Sequence, residues 1–200
     1  MEVVGSATQA LGRQVSEQRL DMGRAAVAAL LEMIGEDRGR DGLRDTPARV
    51  TRALLEMTAG YDEEPRAILS TTFDVKYDQI VVLKDIQFVS LCEHHLLPFQ
   101  GVAHVGYVPG ERVVGLSKMA RLVSCFARRL QVQERMTNEI AEAMQMHLQP
   151  EGVGVIINAH HSCMSCRGVR QQASNMVTSA MLGSMREARC RAEFLELIGP

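Results

Sequence analysis

Apolar residues recur at helical spacing through the first third of the chain. From Glu17 to Glu36, Leu20, Val27, Leu30, Leu31 and Ile34 form a stripe that predicts an amphipathic helix. The polar loop DRGRDG follows. Thr46 and Pro47 then read as N-cap and first helical position, with Val50, Ala53, Leu54 and Met57 on one face. After Pro65 the character changes. Residues 71–91 and 99–108 are rich in β-branched and apolar residues, predicting a strand pair. Ser117 reads as the N-cap of a helix running to about Leu130, and a second helix from near Glu134 to Leu148 turns Met136, Ile140, Ala143 and Met144 inward. Pro150, Gly152 and Gly154 break it, and VGVIINA reads as a buried strand. Residues 169–181 are ambiguous, with Thr, Val and Ser favouring a strand, and Glu187–Ile198 reads as a helix.

This order predicts an α+β fold: an antiparallel four-stranded sheet with helices on one face, preceded by a helical region. The expected divisions are a loose tail over 1–15, a helical region over 16–65 and a sheet domain over 66–200. An open sheet of this kind leaves edges that need cover, which favours oligomerisation through them.

Composition narrows the function. The 200 residues are 46% hydrophobic and 23% charged, ordinary for a globular chain with a full core. A net charge of −2 provides no global field for a nucleic acid polymer, so a nucleotide would be held by a local group of cations. The opening MEVVGSATQALGRQ lacks the pattern of a signal peptide, and no apolar run approaches the ~18 residues of a membrane span. Five cysteines beside histidines in such a chain point to thiolate chemistry in a reducing cytoplasm. The 12 methionines read as core filler.

Chemistry concentrates in two clusters, each after a predicted strand and so expected at one sheet end. The first is Ser90-Leu91-Cys92-Glu93-His94-His95, in which Cys92 and His95 have the spacing of two ligands to one zinc ion. The second is His160-His161-Ser162-Cys163-Met164-Ser165-Cys166-Arg167. Cys92, His95 and Cys163 make three N/S ligands with an open position, the catalytic arrangement. Adding Cys166 through its C-x2-C spacing would close a structural Cys3His site. His94 and His161, spare bases beside the ligands, favour catalysis. His104 and His147 read as structural, and His160 as a strand-end residue pointing away. Lys118 and Arg121 share one face near a helix start, where a phosphate would be welcome, although taken alone they are better explained as a solvated basic face. Glu134 is an ordinary first-turn residue and also a partner for the N1–H and 2-amino donors of guanine.

The strings CEHHLLPFQG (92–101), VVGLSKMARLV (113–123), RRLQVQERMTNEIA (128–141) and HSCMSCRGV (161–169) closely resemble GTP cyclohydrolase I, from about Asp45 to Ile198. The resemblance implies conversion of GTP to 7,8-dihydroneopterin triphosphate and formate, the entry to folate or tetrahydrobiopterin synthesis. It implies the tunnelling fold, with sheets joined edge to edge in pentamers, two of which form a decamer with active sites between subunits. It assigns Cys92, His95 and Cys163 as Zn2+ ligands and His94 and His161 as active-site histidines. Ser117 and Lys118 fall near ribose and triphosphate, Arg121 and Arg167 at the triphosphate, and Arg52 in TPARVTR at a further phosphate position. Gln133 and Glu134 match the guanine-recognition pair. Cys166 departs from the family pattern, in which an apolar residue is expected, and reads as a bystander. A deaminase is excluded, because no H-x-E occurs and Ser162 precedes Cys163 where Pro is required. A structural zinc module and a zinc-free tunnelling-fold reductase are the other rivals; the three ligands together argue against the second.

Overall fold

The computed structural model describes residues 15–199. The expectation for the tail over 1–15 therefore falls, except at Val15, outside the described residues. Backbone contacts divide the chain into a unit through Asp62 and a unit from Glu63 onward.

In the first unit, α1 (Glu17–Met33) packs on α2 (Thr46–Met57). Ser16 caps α1 by accepting a hydrogen bond from the Arg19 N–H. The helices approach closely at Gly23, where a Cβ would lie 2.7 Å from the Thr51 methyl group. Only part of the predicted stripe is buried: Leu20 and Val27 are, whereas Leu30 (56%) and Ile34 (65%) are exposed. In α2 the buried residue is Thr51, not the expected Val50, and Asp45 rather than Thr46 occupies the N-cap position.

The second unit is an α+β layer structure. Its sheet has five strands where four were expected, in the order β5-β2-β3-β6-β7. The long strands β2 (Val81–Cys92), β3 (Pro98–Val108), β6 (Gly152–His161) and β7 (Met176–Gly183) pair antiparallel. The addition is β5 (Leu130–Gln131), parallel to the end of β2 and too short to leave a sequence period. A separate ribbon joins β1 (Thr72–Phe73) to β4 (Val113–Val114), and a short helix α3 (Pro65–Leu69) opens the unit. Helix α4 (Leu116–Ala127) begins with Gly115 as N-cap, so Ser117 sits inside the first turn rather than capping it. Helix α5 (Gln133–Leu148) begins one residue earlier than predicted.

Helices α4 and α5 cover one sheet face, where Met119, Leu122, Met136, Ile140 and Met144 are completely buried against strand residues such as Val105, Val155 and Ile157. The expectation that helices lie on one face only does not hold. Phe194 of α7 (Ala188–Ile198) is completely buried on the opposite face, in a cluster with Val108, Ile156 and Met185. Its ring occupies the space above Gly106 and Gly154, where a Cβ would come within 2.7 and 2.9 Å of it. Two glycines side by side in neighbouring strands thus make the seat for one aromatic ring. Phe194→Ala is expected to destabilise the protein by about 3–5 kcal/mol, read as a lower urea midpoint with unchanged slope.

A bulge between Leu83 and Ile86 puts Asp85 in the left-handed region (φ 58°), and the His104 Nδ1 accepts from its backbone N–H at 3.2 Å. The ends of β2 and β6 then lie on either side of the β3 start, with Phe99 opposite both Ser90 and His161. This register brings the two chemical clusters to the same end of the sheet.

Candidate metal and nucleotide site

Cys92 ends β2, and the chain turns immediately. The Cys92 carbonyl accepts from the N–H groups of His95 (3.3 Å) and Leu96 (2.8 Å), while the Cys92 N–H donates to Leu97 O (2.9 Å). Leu96 takes a left-handed conformation (φ 54°) to close the turn. This tight loop places the His95 and His94 Nδ1 atoms 3.8 and 3.9 Å from Cys92 Sγ. Cys163 comes from the other side, in the single turn α6 (Ser162–Ser165) after β6. One ligand atom from each of Cys92, His95 and Cys163 lies within 4.8 Å of the others, a group that can hold a metal ion. Cys166 is exposed at the end of α6 and does not belong to this group.

The donor set suits a thiophilic divalent cation. Burial raises the Cys163 thiol above its ordinary value, and the adjacent Cys92 raises it further, since two thiolates side by side repel. A cation between them removes that repulsion.

Neighbouring contacts hold the two loops together. The Arg167 Nη1 donates to His95 Nε2 at 3.1 Å, linking the second cluster to the first. His160 Nε2 bonds Ser165 Oγ at 3.0 Å, so this histidine braces the turn that carries Cys163 instead of pointing away. Glu93 is held by Arg135, whose guanidinium keeps the carboxyl below the usual carboxylate range. Arg135 also donates to Gln131 Oε1 (3.2 Å), and Gln131 donates to Glu139 (2.7 Å), so the ligand turn is tied to the start of α5. Sequence reading assigns Glu93 no role beyond its place in the first cluster, and the only sign of Arg135 and Gln131 is the crowding of polar residues in RRLQVQER.

His161 lies flat on Phe99, with ring centroids 4.6 Å apart and planes 2° from parallel. Its Nε2 is 2.8 Å from Gln133 Oε1. Burial lowers its pKa, while the charge of Glu134 pulls the other way, so Glu134 is part of the same electrostatic neighbourhood. Glu134 is exposed, whereas the Gln133 side chain is buried and engaged entirely within the chain. The cations form a different group. Lys118 and Arg121 line a cavity of about 550 Å³ with Glu63, Glu64 and Arg128, and Arg128 pairs with Glu63 at 3.4 Å. Ser117 is exposed one residue before Lys118. Arg52 is exposed on α2 of the first unit.

Comparison with known proteins decides the family. The GTP cyclohydrolase I family model matches residues 23–199. The chain belongs to the GTP cyclohydrolase I family. Proteins called GTP cyclohydrolase 1 are similar to it over nearly their whole length. That of Streptomyces griseus is 52% identical over 87% of this chain and 88% of its own, and that of Porphyromonas gingivalis 52% over 86% and 90%. That of Gloeobacter violaceus is 50% identical over 96% and 89%. A solved structure of the archaeosine synthase QueF-Like in the apo form overlaps with a TM-score of 0.45 at 18% identity, covering 54% of this chain and 97% of its own. That likeness is too slight to bear on the fold. As a member of the GTP cyclohydrolase I family, the chain is an enzyme, and the group of Cys92, His95 and Cys163 lies where its two densest chemical motifs converge.

Proposed function

We propose that the chain binds zinc through Cys92, His95 and Cys163 and hydrolyses GTP at purine C8, releasing formate and forming 7,8-dihydroneopterin triphosphate. The observation that carries this reading is the three-membered thiol–imidazole group whose Cys163 lies two residues after His161, a half-buried, stacked histidine with one ring nitrogen unpartnered among the described residues. Three N/S donors with no fourth among the described residues are the set used by catalytic rather than structural zinc, and the place of Cys166 outside the group supports the same choice. A bound zinc ion supplies a Lewis acid that makes water nucleophilic near neutral pH.

The protein groups supply the rest. C8 is a weak electrophile until N7 carries a proton, and His161 is the group assigned to deliver it. His94, exposed beside Cys92, assists the later transfers as both bonds to C8 break and that carbon leaves as formate. Glu134 accepts from N1–H and the 2-amino group of guanine, a pair of donors that adenine cannot offer. Lys118, Arg121 and Arg167 hold the triphosphate, whose binding energy positions a reacting ring far from it. Ser117 serves the ribose as it rearranges and closes onto the freed amine.

The catalytic unit is read as residues 66–200, with a helical region over 16–65, and as a tunnelling fold assembled into a decamer of two pentamers. In support, β7 has no outer neighbour among the described residues, and β5 covers only Leu91 and Cys92 of twelve-residue β2, so both sheet edges offer unpaired backbone. The five free cysteines suit a cytoplasmic site of action, and none of the described helices is long and apolar enough to cross a membrane.

The test incubates zinc-loaded protein with GTP, measuring formate and, after oxidation, neopterin fluorescence. Both products are expected from the wild type, and His161→Ala is expected to be slower by about 10²–10⁴-fold. Formate without neopterin would limit the activity to purine opening. Neither product from zinc-loaded protein would refute the reading.

A further inference from the structure

We infer that Gln133, Thr137 and Thr178 form a hydrogen-bond chain of fixed polarity that keeps a hydrogen on His161 Nε2 and presents Nδ1 to the substrate. This makes Gln133 a positioning residue rather than a reader of guanine. The inference rests on the proposal that His161 handles a proton in GTP hydrolysis.

Gln133 is 1% exposed. Its amide nitrogen lies 3.1 Å from Ile157 O, 3.0 Å from Met176 O and 3.1 Å from Thr178 Oγ1. Backbone carbonyls only accept, so the amide atom facing two of them must be the NH2 group, and the flipped amide is excluded. Oε1 is therefore the atom 2.8 Å from His161 Nε2. Because Oε1 cannot donate, His161 Nε2 must carry the hydrogen between them.

The hydroxyls continue the same direction. Thr137 Oγ1 is 2.7 Å from the backbone carbonyl oxygen of Gln133 and gives it its single hydrogen. Thr178 Oγ1, 2.7 Å from Thr137 Oγ1, must then donate to Thr137, and its lone pairs share with the two carbonyls the two hydrogens of the Gln133 amide. Any other assignment leaves two oxygens in contact with no hydrogen between them. The amide is thus clamped by strands β6 and β7 together with the first turn of its own helix, in a site where an unmade hydrogen bond is costly.

The consequence for His161 does not depend on its charge. Stacking on Phe99 fixes the ring plane, and the Gln133 amide fixes one nitrogen as a donor. Nδ1, which has no hydrogen-bond partner among the described residues, is left to exchange a proton with the substrate. The Gln133 side chain is 1% exposed, with both amide hydrogens held inside the protein and its oxygen facing His161, so guanine selection falls to Glu134.

The experiment combines a spectroscopic and a kinetic readout on the zinc-loaded protein. With 15N-labelled histidine, the imidazole nitrogens of His161 (identified by their loss in His161→Ala) should show the Nε2–H tautomer in the wild type. In Gln133→Met they should show a mixture. Gln133→Met should lower kcat by about tenfold while KM for GTP and the preference for GTP over inosine triphosphate each change by less than about twofold. Thr178→Val should lower kcat by about threefold, and Thr178→Ser should restore it. A risen KM with lost GTP preference and intact kcat would return Gln133 to guanine recognition and overturn the inference. So would an Nδ1–H tautomer in the wild type, a readout that stands even if Gln133→Met does not fold. Absence of both formate and neopterin from the wild type would instead refute the substrate reading, leaving the tautomer to test the hydrogen-bond chain by itself.

Discussion

Cys163→Ala is expected to strip the bound metal and to slow formate release from GTP by about 10³-fold or more, whereas Cys166→Ala leaves both unchanged. The first figure follows from the several kcal/mol that a Lewis acid contributes to a hydrolytic transition state. The contrast follows from geometry: Cys163 has its ligand atom within 4.8 Å of those of Cys92 and His95, and Cys166 is exposed outside that group. Metal content by atomic emission and formate release on the same samples give the answer. A loss of metal in Cys166→Ala would establish a closed four-ligand site and refute the catalytic reading. The pH dependence of loading has a definite sign. Burial and then Cys92 raise the Cys163 thiol, so in the metal-free chain it is protonated at neutral pH, and metal uptake must expel that proton. Apparent affinity should therefore rise with pH until the raised thiol value is passed. Calorimetric titrations in two buffers of different ionisation enthalpy should show the released proton.

The metal group was legible because its information is local. C-x2-H on a tight turn after a strand, and a second Cys after a later strand, specify their own placement once the two strands flank a common neighbour. Strands β2, β3 and β6 and helix α5 were legible for the same reason, each having a pattern long enough to read, whereas β7 falls largely in the ambiguous stretch 169–181. The features that were not legible depend on distant partners. Thr178 is separated from Gln133 by 45 positions, and nothing in either neighbourhood announces their contact. A glutamine at a helix start looks the same in sequence whether its amide faces a ligand or two buried carbonyls.

The sheet shows the same limit. A two-residue strand such as β5 has no period, so the fifth strand could not be anticipated. The placement of α7 on the far face depends on one ring meeting two glycines from different strands, a relation no single window contains. In α1 the stripe of Leu20, Val27, Leu30, Leu31 and Ile34 predicts one apolar face, yet Leu30 and Ile34 are exposed. The hydrophobic period shows which residues share a face, but what covers that face is decided elsewhere.

Glu134→Gln is expected to lower kcat/KM for GTP by about 10²–10³-fold, mostly through KM, and to erase the preference for GTP over inosine triphosphate. A charge-assisted hydrogen bond contributes about 1.5–3 kcal/mol, and a carboxylate accepting from both N1–H and the 2-amino group makes two. Glutamine keeps one acceptor and turns the other into a donor that faces a donor, so the loss exceeds that of a simple deletion. The same substitution removes a charge that raises the His161 pKa against the lowering effect of burial. His161 should therefore titrate lower in Glu134→Gln, and, because the protonated ring is the proton donor, the alkaline limb of the kcat profile should shift to lower pH. The two effects separate the roles of adjacent residues. Gln133→Met should change kcat and spare selectivity, while Glu134→Gln should change selectivity and KM and move the pH limb. If Glu134→Gln left the GTP preference intact, the carboxylate would be acting on His161 alone, and guanine would have to be read by groups from a neighbouring copy of the chain.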